Sequence, residues 1–111
     1  MKSLCIAILL GVIPFTALAN GSSGVQTIKT IHIEGTSFLS VVPNAPFANP
    51  DSCGNPSVAM LPSSDSYYQA TLALLMQAVA TGTPVQFYFN GCASTPWGYT
   101  VPVIWSTDLN P

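Results

Sequence analysis

The spacing of apolar and polar residues changes period several times along this chain, and each change predicts an element. Residues 25–34 are dense in β-branched side chains (Val25, Thr27, Ile28, Thr30, Ile31, Ile33) and predict a strand. Gly35-Thr36 predicts a turn, and residues 37–42 a second strand. Residues 43–56 hold four prolines and three asparagines, a composition that excludes regular structure and leaves Cys53 in a loop. Residues 57–61 predict a short third strand. The period then shifts to that of a helix: Tyr68, Leu72, Leu75, Met76 and Val79 fall on one apolar face. Gln69, Ala70, Ala73, Gln77, Ala78 and Ala80 form the opposite one. Ser66 and Gln69 have capping-box spacing, Asp65 suits the positive end of the helix dipole, and Gly82 with Pro84 ends the helix.

Two strands follow. In residues 85–89, Val85, Phe87 and Phe89 share one face, and Gln86 and Tyr88 the other. Asn90-Gly91 predicts a turn ahead of Cys92. After a loop with Pro96-Trp97-Gly98, residues 99–106 alternate again. Pro102 lacks an N–H and predicts an edge position for that strand. The fold class expected is mainly β with one helix (α+β). A small OB-like five-stranded barrel packed by a single helix fits the element order, with an open antiparallel α+β sheet as the alternative.

The first residues alter this picture. Lys2, an apolar run over residues 4–13 and Ala17-Leu18-Ala19 are the parts of a cleaved export signal over residues 1–19. A buried N-terminal element is the alternative. The run is too short to span a bilayer, which takes about twenty apolar residues. Cleavage leaves a flexible Gly/Ser leader, residues 20–24, and a single domain over residues 25–111. Secretion, or release to a periplasm, is the expected localisation.

Cleavage also removes Cys5, leaving Cys53 and Cys92. An exported chain with an even cysteine count predicts a disulfide, with two free thiols as the alternative. Lys29 remains as the single Lys or Arg against Glu34, Asp51, Asp65 and Asp108. Such a charge balance excludes a nucleic-acid footprint and a polybasic membrane patch. It also weakens repulsion between copies, which favours a homo-oligomer or an uncharged partner.

Catalytic chemistry has little to stand on. His32 and Glu34 share a strand face and could be half of a metal site or an acid–base pair, but no third metal ligand is near in sequence, and the pair reads instead as the polar outer face of a half-buried strand. No serine sits in a G-x-S-x-G elbow, and a disulfide takes Cys92 away as a nucleophile. No enzyme, metal or cofactor is expected. Binding is better supported. Phe87, Phe89 and Tyr68 are core candidates. Trp97, Tyr99 and Tyr88 are the candidate binding residues, because flat rings with a polar edge suit a sugar or a protein hot spot. Trp97 lies in a loop, where it either caps the core or meets a ligand.

The run ATGTPVQFYFNGC (residues 80–92), preceded by an amphipathic helix and followed by a Pro/aromatic loop and a closing strand, resembles a broad group of short exported bacterial proteins, most without an assigned function. The same order is similar to the pentamer-forming B subunits of AB5 toxins. That resemblance covers residues 66–106 and implies an OB-fold, glycan binding and a helix near an oligomer axis. It carries over no glycan-contact residue. The function expected is an exported, non-enzymatic binding module, glycan-binding or, alternatively, a protein-binding accessory factor or inhibitor.

Overall fold

The computed structural model describes residues 20–111. The expected export signal, with Lys2 and Cys5, lies outside the described residues. Over these residues the chain is mainly β with one helix. Its strands are β1 (Gly21–Gln26), β2 (Ile28–Glu34), β3 (Phe38–Pro43), β4 (Ala59–Pro62), β5 (Val85–Ser94) and β6 (Thr100–Leu109), with α1 (Tyr68–Thr81) between β4 and β5. They form one six-stranded sheet in the order β1-β5-β6-β4-β3-β2. Every pairing is antiparallel except β4 with β6, which meet in parallel at Met60 and Val103. No ladder joins β1 to β2 among the described residues, so the sheet is not closed.

The expected first strand is therefore two, parted at Thr27. The expected leader is not a leader: Gly21–Gly24 belongs to β1 and pairs with β5. The reason is local hydrogen bonding. The register of β1 shifts between Ser22 and Val25, and the buried Ser23 hydroxyl fills the gap. It accepts from the Phe87 N–H at 2.8 Å and donates to the Gly24 carbonyl at 2.6 Å. Gly24, at φ 77°, makes the shift possible.

Strand alternation builds two apolar layers. Leu39, Val41, Ala59, Leu61, Val85, Phe87, Phe89 and Ile104 point to one face and meet the helix. Phe38, Met60 and Val101, with Val58, gather on the other. Neighbouring residues such as Phe38 and Leu39 thus serve different layers, as a period of two requires. Phe47 reaches into the first layer from the long loop, edge-on to both Phe87 and Phe89.

The helix is where it was expected, but it is rolled. Thr71, Leu75 and Ala78 are buried, with Tyr68 and Leu72 at their flanks. Met76 is 59% exposed and Val79 44%. Both faces are uncharged, so hydrophobicity alone does not choose between them. Small side chains at Thr71 and Ala78 let the backbone sit close to the sheet. The capping box does not form: no side chain caps the first turn, and Asp65 instead accepts from the Tyr67 N–H at 2.8 Å. Gly82 ends the helix at φ 70°, donating its N–H to the Ala78 carbonyl.

Two further expectations are corrected at the C-terminal strands. Asn90-Gly91 is no turn. β5 runs on to Ser94, and a register shift between Phe89 and Cys92 makes the pair a bulge, with Gly91 at φ 79°. A glycine with positive φ serves a turn and a bulge equally well, and so the dipeptide misleads. Pro102 is not on an edge strand either. β6 lies between β5 and β4, and Pro102 is fully buried. Its missing N–H falls opposite Cys92, at the end of that bulge, and one residue short of the contact with β4 at Val103.

Candidate functional site

Cys53 and Cys92 form the expected disulfide, with Cα atoms 5.6 Å apart. It ties residues 44–58 to β5, and hydrogen bonds finish the attachment. Asp51 Oδ2 accepts from the Gly91 N–H at 2.9 Å, and Asn49 exchanges two hydrogen bonds with the Cys53 backbone. The Gly54 N–H donates to Thr100 Oγ1 at 2.8 Å. Backbone packs so closely there that a Cβ on Gly54 would lie 3.3 Å from the Thr100 nitrogen. The start of β6, and the loop before it, are thereby held in place. A bond of this kind belongs in an oxidising compartment.

That loop carries Trp97. It closes on itself: the Thr95 hydroxyl donates to the Tyr99 carbonyl at 2.7 Å, and its N–H donates to the same carbonyl at 3.1 Å. Gly98, at φ 89°, permits the tight return. The closed loop lays the indole over the second apolar layer, edge-on to Phe38 with centroids 5.7 Å apart. Trp97 therefore caps that layer and still leaves 40% of itself open, beside Tyr99 at 36%. Their ring centroids are 6.0 Å apart and tilted by 42°.

Beside these rings lies an open groove of about 410 Å³. Thr30, His32 and Glu34 of β2 line one side, Ser40 and Val42 of β3 the floor, and Trp97 and Tyr99 the other side. His32 Nε2 is 2.7 Å from Glu34 Oε1, and the imidazole meets Trp97 edge-on at 5.9 Å. A carboxylate only accepts, so Nε2 carries the hydrogen of this pair. Two donors of this kind are too few for a metal site. Among the described residues no three of His, Cys, Asp and Glu come together.

Of the three candidate binding residues, the fold brings Trp97 and Tyr99 together and leaves Tyr88 out. Tyr88 packs edge-on to Trp105 at 6.0 Å on another part of the sheet, and its hydroxyl donates to the Asn20 carbonyl at 3.2 Å. Conversely, His32 and Glu34 join the aromatic pair. Their shared face was legible from the two-residue spacing, but nothing in the sequence tells which loop lies across it.

A second groove, about 330 Å³, opens between the start of α1 and the end of β6. Tyr67, Ala70, Thr71 and Leu74 face Trp105, Ser106 and Thr107 across it. Trp105 is the extra residue of a bulge, since Tyr88 pairs with Ser106 and Phe89 with Ile104. Past Ile104, β6 has β5 as its one strand partner among the described residues. The Asn110 N–H donates to the Pro84 carbonyl, which turns the backbone groups of Thr107 and Leu109 away from β5. Thr107 Oγ1 is buried there without a hydrogen-bond partner.

No protein-family model matches this chain, and comparison with curated proteins and with solved structures finds no match.

Proposed function

We propose that this protein is an exported, non-enzymatic glycan-binding module with an OB-like barrel. The observation that carries the reading is the Trp97–Tyr99 platform set against the His32–Glu34 pair across an open groove. An exposed ring stacks on the apolar face of a sugar, and neighbouring polar groups engage its hydroxyls. Support for the OB-like form comes from strand order. β1 and β2 are consecutive and parted only at Thr27, so counting them as one bent strand gives five strands with the same strand at both ends. The loop bearing Trp97 is then the connection between the fourth and fifth strands. In OB-folds that loop, with the second and third strands, is a common site for oligosaccharides. Export draws on the signal-like residues 1–19 and on the disulfide. Glycan-array binding by the mature protein tests the reading. Loss of signal in Trp97→Ala supports it, and binding that survives this substitution unchanged sinks it.

A second reading, a protein-binding accessory factor, has its own support in the other groove. Exposed Tyr67 and Trp105 flank the open edge of β6, where an extended segment finds backbone partners. Self-association at that edge accords with the scarcity of charge: α1 carries no charged residue at all. Light scattering separates the cases. A closed oligomer favours the B-subunit-like form, and a monomer that captures one stoichiometric protein favours the accessory factor.

A further inference from the structure

We infer that the groove beneath Trp97 selects neutral, hydroxyl-rich sugars and rejects acidic ones. The inference rests on the glycan-binding reading and adds the ligand's charge and hydrogen-bonding sense to it.

Glu34 is the one carboxylate that lines the groove. Its Oε1 is engaged by His32 Nε2 at 2.7 Å, which leaves Oε2 to accept from a ligand. It asks the ligand for a hydrogen. A sugar hydroxyl supplies one. A sugar carboxylate or sulfate supplies none at neutral pH. It would set acceptor against acceptor and negative charge against negative charge.

No Lys or Arg lines the groove. Lys29 is the single Lys or Arg of the described residues, and it is not among the residues that line the groove. It sits at the register shift of β2, between Ile28 and Thr30, and is exposed. Thr30, Ser40 and Tyr99 offer hydroxyls, which carry no charge to offset that of Glu34. A unit charge about 5 Å from another at a protein surface weakens binding by roughly five- to tenfold or more.

The test uses mature protein and a printed panel in which neutral oligosaccharides (lactose, N-acetyllactosamine, chitotriose) are matched with sialylated or sulfated counterparts. At least one neutral member is expected to bind, with its acidic counterpart about fivefold weaker or worse in low salt. Raising the salt well past about 0.15 M is expected to narrow the gap. Glu34→Gln keeps the side chain's shape and is expected to narrow it as well. An acidic member binding as tightly as its neutral counterpart overturns the inference and leaves the glycan reading standing, as does a gap that Glu34→Gln does not change. Silence across the whole panel overturns both.

Discussion

The Ser23 hydroxyl accepts a hydrogen bond from the Phe87 N–H at 2.8 Å inside the sheet, where a backbone carbonyl would ordinarily serve. Replacing it with alanine leaves a buried N–H unsatisfied. Ser23→Ala is expected to cost about 1–3 kcal/mol, read as a lower denaturation midpoint at unchanged slope. An effect under about 0.5 kcal/mol would mean that β1 is not docked on β5 as described.

That bond also explains why one-sixth of the sheet was illegible. Asn-Gly-Ser-Ser-Gly has the composition of a linker, and composition is what a sequence offers. The strand forms because β5 has a free edge and because Ser23 replaces a missing ladder partner, and neither fact is local. The alternation of Val85, Phe87 and Phe89 was legible, since burial on one face repeats every two residues. So was the disulfide, which follows from cysteine parity. The roll of α1 was not, because Met76 and Ala78 compete for the core on size rather than on polarity. Likewise the Trp97 ring was legible as a loop aromatic, while its partners His32 and Glu34 depend on a contact across more than sixty residues.

The roll of the helix has its own check. Leu75→Ala is expected to destabilise by about 2–4 kcal/mol, as a fully buried leucine should. Met76→Gln is expected to stay within about 0.5 kcal/mol. Equal effects at the two positions would restore the face read from periodicity.

Removing the disulfide as Cys53→Ala with Cys92→Ala is expected to cost roughly 3–4 kcal/mol for a loop closed across 39 residues. It also frees the loop that positions Trp97. Sugar binding is therefore expected to weaken even at temperatures where the double variant stays folded. Unchanged affinity in a folded variant would show that the loop needs no such tether.

Trp97→Ala and Tyr88→Ala form a matched pair, both removing a ring about two-fifths exposed. The first is expected to lower sugar affinity by about tenfold or more, and the second to leave it alone, because Tyr88 lies beside Trp105 and outside the groove. Titration calorimetry with the best panel member reads both. Equal losses would point to a different binding face.

Thr107→Val swaps a buried, unpartnered hydroxyl for a methyl group of similar size. The isolated monomer is expected to gain up to about 1 kcal/mol in a urea melt. A loss of that size instead would mean that the hydroxyl has a partner in solution, supplied by water or by a second chain.

β1 has a consequence for the order of events in folding. Its partner residues on β5 lie some 64 positions further along the chain. During synthesis, β1 emerges early and then waits for most of the protein to follow. An apolar strand left waiting would be open to any other unpaired strand. Gly21, Ser22, Ser23 and Gly24 have almost no side chain to offer one. The strand meets its partner through two serine hydroxyls and backbone groups, and its first four residues offer little else until that partner arrives.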